Sequence, residues 1–310
     1  MHFLSFTWNP TEGIDLGFYT IQYYSLMFVI AFSVGWFIMK SIFKNENEPL
    51  EKLDSLFIYM VLAILVGARL GHVIFYQPEL FREDFWSIFL PISTKDGFEF
   101  TGFRGLASHG ATLGSLIAMY FYSKKVSKKS MLWILDRLVI PSAFGAILVR
   151  FGNFMNSEII GKNTTESFVF GVRFIRNKIS GYEATKVTGI GDVNEAYKAI
   201  ETDPKFADLL ATVPYSHPAQ LYEAVGYVFV FIILLFMYWK TEKRKQLGYL
   251  FGLFFVLLFT VRMVAEHFKK SQEGFADGAE AILSTGQWLS IPFILAGLYF
   301  MIRSKNKKIE

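Results

Sequence analysis

A chain of 310 residues that is 53% hydrophobic, carries 34 phenylalanines and is only 19% charged is too apolar for an ordinary soluble enzyme, whose charged share is nearer a quarter. The lack of cysteine excludes a disulfide, a thiolate metal site and a cysteine nucleophile within the chain; a thiol that takes part in its chemistry must arrive on a substrate. The net charge of +4 is modest, and its basic residues are divided among short linkers, which reads as membrane topology rather than nucleic-acid binding.

In chain order, the N-terminal stretch "MHFLSFTWNPTEGIDLG" lacks a positive n-region and a small-residue cleavage site, so it does not read as a cleavable signal. A membrane-crossing helix needs about 20 mostly apolar residues. Seven segments meet or approach that length: Tyr19–Met39, Leu56–Tyr76, Gly105–Ser123, Met131–Phe151, Tyr222–Trp239, Gly248–Glu266 and Ile282–Ile302. The third and fourth carry more polar residues than the rest. The expectation is an all-α polytopic membrane protein with seven transmembrane helices, residues 1–310 forming one integral membrane domain.

The linkers alternate in charge. "KSIFKNENEPLEK", "KKVSKK", "KTEKRKQ" and "RSKNKK" follow the first, third, fifth and seventh spans. The positive-inside rule places all four on the cytoplasmic side, the N-terminus outside and the C-terminus inside. The external linkers are then 77–104, roughly 152–221 and 267–281. The longest holds glycine turns, an alternating run "FVFGVRF" and an amphipathic "DVNEAYKAIETDPKFADLL". It predicts a small mixed α/β subdomain over 162–216, with a strand or two and a helix. No internal repeat or low-complexity tract stands out.

This orientation collects polar residues near the outer ends of six spans. Tyr24 lies in the first and Arg69 and His72 in the second. His109 opens the third in "SHGATLG", and Arg150, Asn153, Asn156 and Glu158 close the fourth in "VRFGNFMNSEIIG". His217, Gln220, Tyr222 and Glu223 open the fifth in "HPAQLYEA", while Arg262 and Glu266 close the sixth in "VRMVAEHF". Ionisable groups inside a membrane are costly unless paired or facing a wet cavity, so such a gathering marks a functional site. Snorkelling to headgroups accounts for an isolated arginine or histidine, but not for asparagine and glutamate beside arginine. Arg262 and Glu266 are spaced for an i,i+4 pair. Gly110, Gly114, Gly152 and Gly161 have a packing explanation, and His217 before Pro218 reads first as a helix N-terminal feature. Asp136, near the inner end of the fourth span beside Arg137, reads as a structural pair as readily as a functional group.

Arginines at headgroup level suit a phosphate, which their planar fork grips bidentately; the phosphate most available there belongs to a phospholipid. His109 titrates near neutrality when unperturbed and so can accept a proton. The five histidines show no metal-binding spacing, and neither a nucleophile elbow nor a phosphate-binding loop motif is present. No metal and no organic cofactor is called for.

"VRFGNFMNSEIIG" resembles the signature of the prolipoprotein diacylglyceryl transferases, G-R-x-G-N-F-x-N-x-E-x-x-G. "SHGATLG", "HPAQLYEA", "GARLGHVIFY" and "VRMVAEHFK" are similar to further segments of that family, in the same chain order. Val149, Ala111 and Ala68 stand where the family has glycine, and 162–216 matches loosely. The resemblance implies a bacterial enzyme of lipoprotein biosynthesis, multi-pass in the cytoplasmic (inner) membrane with its active site toward the periplasmic leaflet. It would transfer the diacylglyceryl group of phosphatidylglycerol to the lipobox cysteine of a prolipoprotein signal peptide, giving a thioether and glycerol 1-phosphate. On this reading Arg150 and Arg262 hold the lipid phosphate and His109 is the general base. Asn153 and Asn156 orient the headgroup, Glu158 and Glu266 hold the arginines, and Tyr24 and Gly161 complete the lipid site. The alternative is a transporter or flippase for an anionic lipid or solute, in which the same arginines bind without bond breaking; the outward offset of the polar set and the lack of a repeat favour the enzyme.

Overall fold

In the computed structural model, residues 5–17, 20–90, 92–95, 97–100, 105–270 and 283–304 are described. The chain is mostly helical. Its long helices are α1 (Tyr23–Asn45), α2 (Leu50–Tyr76), α3 (Ser108–Tyr122), α4 (Met131–Met155), α5 (Ala219–Lys240), α6 (Tyr249–Glu266) and α7 (Thr285–Ser304). Among the described residues, six of these, all but α3, are long and apolar enough to cross a membrane. Large apolar side chains stand exposed along them, among them Phe37, Leu62, Phe229, Phe236 and Leu295. A multi-pass membrane protein explains this, because lipid tails cover apolar side chains that water would not.

Helix ends differ from the expected spans where local chemistry intervenes. α1 starts later than expected, because Thr20–Gln22 pairs as a strand with Gly13–Asp15. α2 starts earlier, directly after Pro49, and α4 runs on to Met155 through an internal Pro141. α5 begins at Ala219 behind Pro218. α3 has only 15 helical residues but continues into a π-helical turn, Ser123–Ser127. The start of the seventh expected span, at Ile282, and parts of the expected linkers 77–104 and 267–281 lie outside the described residues.

The chain divides into two compact units, one of residues 1–35 and 138–310 and the other of 36–137. In the second unit α2 lies along α3 with their backbones nearly touching: a Cβ on Gly67 would meet the Gly110 carbonyl oxygen at 2.5 Å. The same unit buries Arg137 against Glu46 at 2.9 Å, beside the fully buried Asp136. After α2, Asp84 takes hydrogen bonds from the Thr94 hydroxyl (2.7 Å), the Thr94 amide (2.9 Å) and the Ser93 hydroxyl (3.0 Å).

In the first unit a four-stranded sheet joins the N-terminus to the 162–216 segment. Phe6–Trp8 pairs in parallel with Val172–Phe174, which pairs with Tyr215–Ser216, which in turn pairs with Asn163–Thr164. Trp8 stacks on Phe154 and donates to its carbonyl at 2.9 Å, so this sheet is tied to the end of α4. Beyond it, short helices Gly181–Thr188 and Val193–Thr202 start at Ser180 and Asp192 caps. They close a core of Ile175, Ile179, Ala184, Ala196, Tyr197 and Ile200.

Candidate active site

The polar residues of the first unit meet where α4 ends, α5 begins and α6 ends. Arg150, in the last turns of α4, places Nε 2.8 Å from Oε2 of Glu223 on α5 and donates Nη1 to Asn153 Oδ1 at 3.2 Å. Asn153 Nδ2 reaches Glu158 Oε2 at 3.4 Å, and Asn156 Nδ2 reaches Glu158 Oε1 at 3.3 Å. Gln220 donates to the Glu158 carbonyl. Tyr24 stands within electrostatic range of Glu158, Arg150 and Asn153, its ring lying where a Cβ on Gly152 would sit.

Glu223 is the hub. Its side chain has no exposed surface, and the same Oε2 accepts Lys269 Nζ at 3.1 Å. Its Oε1 accepts the Tyr227 hydroxyl at 3.4 Å. Lys269, itself almost wholly buried, also pairs with Glu266 at 3.5 Å. Tyr227 is within electrostatic range of both Arg150 and Arg262, and Arg262 Nε is buried without a hydrogen-bond partner among the described residues. A buried carboxylate is tolerable only when paired; here two cations share one.

Backbone pairing fixes the frame. The Gly161 amide donates to the His217 carbonyl at 2.8 Å, the His217 amide to Lys162 at 3.0 Å, and the Lys162 amide to Phe268 at 2.7 Å. Gly161 is required there: a Cβ would lie 2.5 Å from the His217 oxygen and 2.7 Å from the Phe268 oxygen. The structure thus gives Gly161 a close-approach role in the backbone frame. The preceding loop holds Ser157 and the β-branched Ile159 at φ 56° and 55°. That left-handed backbone costs on the order of 1–3 kcal/mol per residue and persists only where the surroundings impose it. His217 is packed between Phe168 and Phe268, its Nδ1 3.1 Å from the Tyr222 hydroxyl. Burial, and secondarily the charge of Lys162, hold its pKa below the ordinary imidazole value.

Tyr24, Arg150, Asn153, Asn156, Glu158, Gly161, Arg262 and Glu266 all fall in this first unit. The expected division of labour changes. Glu223, not Glu158, holds Arg150, while Glu158 ties the two asparagines together. Glu266 takes Lys269 among the described ion pairs, so the i,i+4 pair with Arg262 is not the arrangement found. The sequence puts Glu223 at this level but assigns it no role, and nothing in its motifs singles out Lys269. The signal for both was present: a carboxylate in the first turns of an apolar helix, and a lysine three residues after Glu266. His109 belongs to the second unit, in the first turn of α3, exposed, with ring contacts to Phe75 (5.2 Å) and Tyr76 (6.1 Å). Among the described residues no cluster of three or more histidines and carboxylates is arranged to hold a metal.

The family Prolipoprotein diacylglyceryl transferase matches residues 12–303, and the chain belongs to it. Similar proteins include the phosphatidylglycerol–prolipoprotein diacylglyceryl transferases of three bacteria. That of Tolumonas auensis is 37% identical over 302 residues, covering 97% of this chain and 98% of the relative. That of Bacteroides fragilis is 33% identical over 308 residues, with 98% and 97% covered. That of Porphyromonas gingivalis is 34% identical over 311 residues, with 99% and 96% covered.

Proposed function

We propose that the protein transfers the diacylglyceryl group of phosphatidylglycerol to the cysteine thiol of a prolipoprotein. A family match over residues 12–303 supports this, together with an arginine anchored at two points in a buried network of charge. The thiolate sulfur attacks the glyceryl carbon bearing the phosphate ester. A carbon–sulfur bond forms, the carbon–oxygen bond breaks, and its electron pair leaves on glycerol 1-phosphate.

The residues divide the work. Arg150 and Arg262 bind the phosphate and stabilise the charge that grows on the leaving oxygen. Donors fixed in advance at such a charge are often the largest catalytic contribution. Glu223 and Asn153 hold the Arg150 guanidinium so that no reorganisation is needed as charge develops. Asn156 and Glu158 support Asn153, Tyr24 lines the lipid site and Glu266 steadies the end of α6. His109 takes the thiol proton, a role resting on its side-chain chemistry and its motif; a thiol of ordinary pKa near 8.5 attacks only as thiolate.

The same reading sets the protein in the bacterial cytoplasmic membrane as one integral domain. Seven crossings, α3 with its π-helical turn among them, would leave the N-terminus periplasmic, the C-terminus cytoplasmic and 162–216 as a periplasmic subdomain. The basic linkers support this. The lipobox of a signal peptide, just beyond its apolar core, would arrive at the same leaflet. The test is direct: incubate purified protein with phosphatidylglycerol and a lipobox peptide, and weigh the peptide. A gain of one diacylglyceryl unit supports the transferase; lipid movement without a mass gain selects a transporter.

A further inference from the structure

The first turn of α7 touches the charged site through a contact that neither the motifs nor the proposed reaction uses. Ser284 and Gln287 cap this helix reciprocally: the Gln287 amide donates to the Ser284 hydroxyl at 3.3 Å, and the Ser284 amide to Gln287 Oε1 at 3.0 Å. The other end of the same amide side chain donates to the Met263 carbonyl on α6 at 3.3 Å, one residue beyond Arg262. Between these two, Gly286 faces Glu266. A Cβ there would lie 2.5 Å from the carboxyl carbon of Glu266 and 2.6 and 2.7 Å from its oxygens. The Glu266 carboxylate therefore rests directly on the first turn of α7, where the helix's positive end favours an anion. From Glu266 the pairing continues to Lys269 (3.5 Å), then Glu223 (3.1 Å), then Arg150 (2.8 Å).

We propose that Gly286, with Gln287, is a positioning residue for the arginine site: the absent side chain seats the Glu266 carboxylate, and the ion-pair chain from Glu266 through Lys269 and Glu223 carries that placement to Arg150. The inference rests on reading this cluster as the site of transfer. It explains a detail that helix packing alone leaves unexplained. Gly297, on the same helix, is also a close-approach glycine, but it meets backbone and apolar atoms, namely the Gly252 oxygen at 2.6 Å and Phe255 Cβ at 3.0 Å. Gly286 instead meets the end of a charged side chain.

That contrast supplies the control. Gly286→Ala presses on the flexible end of the Glu266 side chain, whereas Gly297→Ala presses on the α6 backbone at Gly252, so only the first acts directly on Glu266. The full-length protein in phosphatidylglycerol nanodiscs is compared with both variants and with Gln287→Ala, which removes the grip on Met263 without adding bulk. One readout is carbodiimide labelling of Glu266, followed by peptide mass. The other is kcat for the lipobox peptide at matched folded fraction. Labelling should rise in Gly286→Ala and in Gln287→Ala but not in Gly297→Ala. kcat in Gly286→Ala should fall by about 10²-fold, the scale of a 1 Å misplacement, with Gly297→Ala near wild type. Unchanged labelling in Gly286→Ala and Gln287→Ala, or an equal rise in Gly297→Ala, overturns the inference. If Gly286→Ala does not fold, Gln287→Ala decides by the same labelling. A wild-type protein that transfers nothing sinks the transferase reading, while the labelling comparison still decides the role of Gly286.

Discussion

Arg150 Nε lies 2.8 Å from Oε2 of Glu223, a carboxylate with no exposed side-chain surface. The pair joins the end of α4 to the start of α5, and the same oxygen carries Lys269 at 3.1 Å. The site is thus a network in which one anion fixes two cations.

Removing the hub charge should be the most damaging change. Glu223→Gln leaves Arg150 and Lys269 without a shared counter-ion, and breaking a buried pair from one side costs about 3–5 kcal/mol. Thermal unfolding in detergent, run beside the peptide transfer assay, should show both stability and turnover falling. A variant with normal values in both would remove Glu223 from the centre of the network.

Arg150→Lys keeps the charge but loses the fork. A single ammonium cannot reproduce the Nε contact to Glu223 and the Nη1 contact to Asn153 while also holding a phosphate. Transfer should drop about 10²–10³-fold, as for loss of one preorganised donor. Near-normal turnover in this variant would contradict the assigned role.

His109→Asn tests the base. Loss of turnover at pH 7 with partial recovery at higher pH, where more of the substrate thiol is ionised on its own, is the expected pattern. Full activity at pH 7 would hand proton removal to another group.

Gly161→Ala introduces a Cβ 2.5 Å from the His217 carbonyl oxygen into a frame made of backbone hydrogen bonds. Forcing an atom into such a space costs about 1–3 kcal/mol. A lowered thermal midpoint should accompany any loss of activity. A midpoint equal to wild type would show that the backbone pairing yields easily.

His217 should impose a mild acid sensitivity on stability. Its folded pKa is lowered by burial and then by Lys162 from an ordinary value of 6.5, so the unfolded chain binds the proton more readily. Stability is fully present above about pH 6.5 and declines as pH falls from there toward the folded pKa. Midpoints measured across this window should fall in wild type and fall less in His217→Gln. Equal slopes would show that His217 contributes nothing to the acid limb.

Composition and motif order were enough to read the membrane and the family. Long apolar runs with basic linkers point to a membrane, because about twenty apolar residues match the hydrocarbon thickness and a chain this short has no core large enough to bury so many of them. The clustering of Arg150, Asn153, Asn156 and Glu158 is local enough to be read from one helix end, and the motif order pointed to the family that the full-length comparisons show. The sequence could not decide which acid serves which base. Glu158 and Glu266 are near the arginines in the chain, yet Arg150 is held by Glu223 from another helix, 73 positions away. Glu266 instead rests on Gly286, beyond a further connection. Such pairings depend on how α4, α5, α6 and α7 meet at their ends. Ion pairs form between groups that packing brings within a few ångströms, and sequence distance says nothing of that once the chain has turned back through the fold.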